Sequence, residues 1–251
     1  MRLIRPADAT HERRWALALS LAMLMVGIVA IVLMALLPDD RPDGVAILGV
    51  AAALGIGIGL AWLIRALSGH GQQRVGEDLA RLLEPTFDDS YVLVISPRLP
   101  GVPGDLAGLL IGPAGVRSLI ARRWRGRYRV RGRGWEYDTR GRSGWIPCRT
   151  NPSFDADAVA DAVAAWARTA LDEPSVPIIP AVAFPRRWSV VVLEEPDGEI
   201  VTADNAPWYA QSIGRLQRMD GPRVARFVQS VMDASDAVAE RAAETAPRGL
   251  A

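Results

Sequence analysis

The stretch LAGLLIGPAGVRSLIARRWRGRYRVRG, Leu106 to Gly132, decides how the chain is read. AGLLIG, from Ala107, and GVRSLIARRW read as strands around the turn GPAG, and Gly126 sets off a third run, GRYRVRG. Three successive strands are expected. From Arg123 to Arg133 every odd position is arginine. Residues two apart on a strand share a face and lie about 6.5–7 Å apart. That is inside the physiological Debye length of about 8 Å, so Arg123, Arg125, Arg127, Arg129, Arg131 and Arg133 repel one another unless negative charge meets them. The other face, with Trp124, Tyr128 and Val130, is the core side. The arginines then have three readings: a solvated face paired with acids such as Glu136 and Asp138, a surface for DNA or RNA phosphates, or one for an anionic membrane leaflet. Base-specific readout has no support, because such side chains reach only backbone charge.

Working outward, GEDLARLLEPTF reads as a helix with Leu79, Leu82 and Leu83 on one face, and YVLVIS as a strand followed by the loop RLPGVPGD. A second helix is expected from about Ser153 to Leu171. VPIIPAVAF, WSVVVLEE and EIVTA read as strands, a helix opens at Pro207 and continues through Leu216, and an amphipathic helix starts at Pro222. This order is that of a mixed α/β domain.

The apolar half of the composition is concentrated at the other end of the chain. Trp15 to Leu37 and Val45 to Ile64 each run without a charged side chain, long enough to span a hydrocarbon core of about 30 Å. The link PDDRPDG is too short for a domain, so the two form a transmembrane helical hairpin. Arg2, Arg5, Arg13 and Arg14 precede it, and Arg65, Arg74 and Arg81 follow. The positive-inside rule then places both termini in the cytoplasm of a bacterial cell, with the hairpin in the inner membrane. Gly55 and Gly59 make a small-residue face for close approach of another helix, most simply the first span, with homodimerisation as the other use. ALSGHGQQR, Ala66 to Arg74, reads as a tether of about 35 Å at most. The divisions expected are a cytoplasmic segment 1–14, the hairpin 15–67 with spans 15–37 and 45–64, a cytosolic domain 75–216, and a C-terminal helix and tail 217–251.

One cysteine, Cys148, rules out an internal disulfide, and two histidines, His11 and His70, leave no material for a zinc site. The net charge of +1 hides the local concentration of arginine.

Gly76-Glu77 opening a helix, YVLVI, a loop ending RLPG, LLIGPAGV, LIARRW, GRYRV, Trp135 and Asn151-Pro152 occur in an order that resembles the nuclease-related domain. That domain is a branch of the PD-(D/E)xK restriction-endonuclease-like fold, and the resemblance spans about Val75 to Leu216. It implies an Asp, a Glu and a Lys converging on Mg²⁺. The matching positions here are Ala107, Ile120 and Arg122, so all three are lost. No Asp or Glu occurs from Leu106 to Trp135, and the chain has no lysine. Arginine does not release its proton near neutral pH, so Arg122 keeps charge without acid–base chemistry. Glu77 matches an acidic residue on the family's first helix, and Asp105 lies two residues before the lost Asp. Both are weaker candidates, read first as a helix-start acid and a loop residue. Asp155, Asp157 and Asp161 read as helix-start acids, and Glu194, Glu195, Asp197 and Glu199 as decoration of an exposed hairpin.

The fold expected is therefore α/β: a two-helix transmembrane hairpin followed by a cytosolic, restriction-endonuclease-like mixed sheet flanked by helices. The function expected is a non-catalytic binding or scaffold module that meets nucleic acid or anionic lipid through Arg123 to Arg133 and needs no cofactor. The alternative is a Mg²⁺-dependent nuclease with a relocated site around Glu77 and Asp105 or at acidic residues beyond position 135.

Overall fold

The computed structural model describes residues 1–5, 11–36, 42–139, 144–171 and 176–245. The expected link from Pro38 to Arg41 and the end of the tail from 246 onward lie outside the described residues. The chain forms two compact units, one of residues 7–72 and one made of residues 1–6 together with 73–251.

The first unit holds helix α1 (His11–Leu36) and most of helix α2 (Pro42–Leu83). Each contains a segment long and apolar enough to cross a membrane, Leu17–Leu36 and Gly44–Ile64, with mean hydropathies of 2.8 and 2.3. Large apolar side chains point outward around both, among them Leu21, Val29, Leu36, Val50 and Leu60. The helices touch through small residues: a Cβ on Gly55 would stand 2.8 Å from the Gly27 nitrogen, and one on Gly59 would stand 3.1 Å from the Ser20 carbonyl. The Gly55–Gly59 face thus meets α1 of the same chain. Ala66 to Arg74, expected as a tether, is helical, because α2 runs unbroken for 42 residues. Gly69 and Gly71 each cost a helix only about 1 kcal/mol relative to alanine. Apolar runs that favour helix on both sides of them outweigh that.

The second unit is an α/β sandwich around a six-stranded sheet of order β1-β2-β3-β4-β8-β10. Its strands are β1 (Arg2–Ile4), β2 (Val92–Ile95), β3 (Leu106–Gly112), β4 (Gly115–Ala121), β8 (Ile178–Phe184) and β10 (Glu199–Thr202). β2, β3 and β4 are antiparallel neighbours, whereas β4–β8 and β8–β10 are parallel. Helix α3 (Pro152–Leu171) lies in the crossover from β4 to β8 that parallel pairing requires. β1 was not foreseen: three residues ahead of α1 pair in parallel with β2, Arg2 opposite Val92.

Both faces of this sheet are covered, which explains why its strands read as continuous apolar runs. On one face Leu93, Leu110, Leu119 and Ala183 pack with Leu79 and Leu83 of α2 and with Tyr209 and Ile213 of helix α4 (Ala206–Gly214). Gly76 lets α2 come this close, since a Cβ there would lie 2.1 Å from Ile95 Cγ2. On the other face Val94, Leu109, Ile120 and Phe184 pack with Val163 and Trp166 of α3 and Phe227 and Val231 of helix α5 (Gly221–Thr245). α5, expected as a separate C-terminal helix, therefore contributes to this core.

A second sheet has the order β7-β6-β5-β9. It consists of β5 (Gly126–Gly132), β6 (Gly134–Asp138), β7 (Trp145–Pro147) and β9 (Ser189–Pro196). Four aromatic rings join it to the first: Trp124 lies 5.0 Å from Tyr128 and 5.9 Å from both Trp135 and Phe184, and Trp135 lies 5.4 Å from Phe184.

Candidate functional site

The arginine stretch does not form one strand. β4 ends at Ala121, residues 122–125 cross to the second sheet, and β5 begins at Gly126, whose φ of +125° is open to glycine alone. Only Arg127, Arg129 and Arg131 therefore share a strand face. Val130, between them, is fully buried, as the alternation requires.

The strand register supplies the charge these arginines need. Arg129 stands directly opposite Glu136 on β6, and its Nε donates to Oε2 at 2.8 Å. Arg131 stands opposite Glu194 on β9 and donates through Nε at 3.0 Å and Nη2 at 2.7 Å, which raises its already high pKa. Arg127 reaches Asp138 at 3.9 Å, and Arg133 pairs with Asp157 of α3. The Trp145 ring lies under the guanidiniums of Arg127 and Arg129, at 5.7 and 4.7 Å. From Arg127 to Arg133 the face is thus a ladder of internal ion pairs, the outcome that Glu136 and Asp138 had suggested. Glu194 and Asp157 belong to this ladder, so neither is mere surface decoration.

Charge balance fails at the beginning of the stretch. Asp78, one residue beyond the expected candidate Glu77, is buried, its side chain only 2% exposed. Three arginines converge on it: Arg186 donates through Nε at 2.5 Å, Arg123 Nε lies 3.6 Å away, and Arg81 lies 3.7 Å away. Arg123 Nε is buried with no hydrogen-bond acceptor. Arg186 also lies over the Trp188 ring at 4.9 Å, and Arg125 lies over the same ring at 4.9 Å. Neither Arg125 nor Arg187 has a carboxylate partner among the described residues. The β4–β5 and β8–β9 connections thereby assemble a cationic patch of Arg123, Arg125, Arg186 and Arg187, in which Arg125 and Arg186 share one indole.

The positions matched to a catalytic triad do not meet. A bulge in β3 between Leu106 and Gly108 turns Ala107 toward α2 and α4, while Ile120, fully buried, faces α3. Arg122 points with Ile120 toward α3 and bridges two carboxylates, Asp105 at 3.3 Å and Asp155 at 2.6 Å. Asp105 and Asp155 are brought together by this shared arginine. Glu77 is exposed and lies 3.8 Å from Arg81. Among the described residues there is no group of three metal-ligating side chains.

Two features escaped the sequence reading. Asp78 sits four residues before Leu82, on the flank of the apolar stripe, whereas Glu77 is a further 100° around the helix; a helical wheel separates them. The other is Arg117, fully buried inside β4, which donates to the Ala114 carbonyl at 2.6 Å and pairs with Glu199 at 3.3 Å. The Tyr209 hydroxyl donates to Glu199 at 2.5 Å, and burial, reinforced by the Glu199 charge, pushes that phenol well above its ordinary pKa. Glu199, expected on an exposed hairpin, is instead the partner of a buried arginine. Nothing in VRSLI signals that its arginine turns inward. Cys148 is half-buried, and desolvation raises its thiol, so it stays protonated near neutral pH.

No family model, curated protein or solved structure matches this chain.

Proposed function

We propose that the chain is a membrane-anchored binding module of restriction-endonuclease-like fold, which holds an anionic partner at the patch of Arg123, Arg125, Arg186 and Arg187. The observation that carries this reading is the charge contrast within one arginine stretch. Arg127 to Arg133 are matched by carboxylates, whereas Arg125 and Arg187 are not. An anion arriving at Arg125, which is held over the indole, or at Arg187 displaces no carboxylate of the described residues.

The membrane part rests on α1 and α2, whose apolar side chains point outward on all sides in the two candidate spans. β1 and β2 pair in one sheet, so the segments before α1 and after α2 belong to the same unit. A hairpin with both ends on one side satisfies this, and the flanking arginines favour the cytoplasmic side of a bacterial inner membrane. The fold part rests on the succession α2, β2, β3, β4, α3, β8, with three antiparallel strands and a parallel crossover. A binding role is favoured over cleavage because Leu119 and Ala121, which share the Ala107 face, are apolar.

The test uses the full chain in zwitterionic detergent. Labelled DNA and RNA oligonucleotides and micelles doped with anionic lipid are titrated at about 50 and 200 mM salt. Arg125→Ser is expected to weaken retention of the true partner several-fold and to lower its salt slope by about one unit, with Arg129→Ser having a smaller effect on binding. Equal affinity of wild type and Arg125→Ser for every polyanion would sink the reading. Cleavage of the oligonucleotide that stops with EDTA and with Glu77→Gln would replace it with the nuclease alternative.

A further inference from the structure

Beside the patch lies a cleft of about 320 Å³ lined by Asp78, Arg81, Thr86, Arg186, Arg187 and the first turn of α4. We propose that this cleft is a site for a phosphate monoester, the terminal phosphate of a small molecule or of a lipid headgroup. The volume is at the lower end of small-ligand pockets. It opens just beyond the carboxyl ends of the parallel strands β8 and β10, where Pro185 to Arg187 and Ala203 follow the last strand residues. Open α/β sheets take ligands at this edge because the chain diverges there.

The chemistry of the lining selects the ligand. Arg81, Arg186 and Arg187 line the cleft with a single carboxylate, Asp78, so its charged lining carries an excess of two positive charges. A structural ion pair for Asp78 needs only one of these arginines. Asp78 holds Arg186 through Nε, and Trp188 supports the flat of the same guanidinium. Both terminal nitrogens of Arg186 are then left to make the paired contacts that guanidinium groups make with phosphate oxygens. A monoester carries about −1.5 to −2 charges near neutral pH and matches the excess, whereas a diester or a carboxylate neutralises half of it. The first turn of α4, with Ala206 and Pro207 in the wall, adds the positive end of a helix dipole to an arrangement the arginines already define.

The cleft shares Arg186 and Arg187 with the polyanion patch but not Arg125, which is outside its lining, so Arg125→Ser tells the two readings apart. Calorimetry on the full chain in zwitterionic detergent, at constant ionic strength, compares inorganic phosphate, glycerol 3-phosphate, dimethyl phosphate and acetate. Micelles doped with phosphatidic acid form a separate arm. Monoesters are expected to bind at least about tenfold more tightly than dimethyl phosphate or acetate, a difference of 1.4 kcal/mol. Preference for phosphatidic acid over glycerol 3-phosphate assigns the headgroup source, and the reverse assigns the soluble one. Arg81→Ser with Arg187→Ser, both on exposed side chains that leave the Asp78–Arg186 pair in place, is expected to remove that preference while thermal unfolding without phosphate is unchanged. Arg125→Ser is expected to keep it. Equal binding of monoester, diester and acetate, or an undiminished preference in the double variant, would overturn the assignment.

Discussion

The β5 ladder and the Asp78 cluster are built from the same residue type, with Arg123 of the cluster just before the ladder in sequence, and they use it differently. On the ladder strand register places a carboxylate opposite Arg129 and Arg131, Glu136 and Glu194, and Asp157 of α3 meets Arg133. In the cluster three arginines share one buried carboxylate. The density of arginine along the sequence is higher on the ladder, yet the uncompensated charge is in the cluster. Local stoichiometry of opposite charges marks where an external anion fits, and counting one sign along a strand does not.

The sharpest way to break this contrast is to remove the shared carboxylate. Asp78→Asn leaves Arg186 Nε without its charged acceptor in a buried setting, and a loss of about 3 kcal/mol of stability is expected, measured by denaturant unfolding in detergent. A loss below about 1 kcal/mol would show that Asp78 is dispensable to its arginines. Arg117 offers the intermediate case, one buried arginine with one carboxylate and a phenol. Tyr209→Phe removes the hydroxyl donated to Glu199 and is expected to cost about 1–2 kcal/mol. The pH dependence follows from the raised pKa of Tyr209: above about pH 10 the unfolded phenol ionises while the folded one keeps its proton. The folded state then binds more protons, so stability falls as pH rises past about 10, and Tyr209→Phe flattens that fall. The smallest effect is expected on the ladder, where a double-mutant cycle on Arg129 and Glu136 should give a coupling of about 0.5–1 kcal/mol.

The strands around Leu106–Gly132 were legible because their apolar runs and glycine turns are local signals, and β3, β4 and β5 follow them closely. β1, β6 and β7 were not, because three- to five-residue strands such as Arg2–Ile4 and Trp145–Pro147 carry too few alternations to read and exist only through their partners. The acids that could answer the arginines were partly legible in Glu136 and Asp138, which lie close in sequence. Asp157, Glu194 and Glu199 were not seen in that role, since each meets its arginine across a long stretch of chain, and Asp78 meets Arg123 and Arg186 the same way. The three matched catalytic positions shared a spacing but not a face, because the bulge at Leu106/Gly108 shifts the alternation of β3 against β4.

The pairing of β1 with β2 bears on the order in which the protein assembles. Arg2 leaves the ribosome before α1 and α2, but its partner Val92 emerges only after both. From the time they emerge until Arg2 to Ile4 pair with them, Val92 to Ile95 present an open edge that a foreign strand could join. Closing that edge requires Arg2 to Ile4 to wait and then return across the intervening chain, at an entropic cost that grows only slowly with loop length. The short strand thus works as a late seal, in place only when the helices that precede β2 are finished.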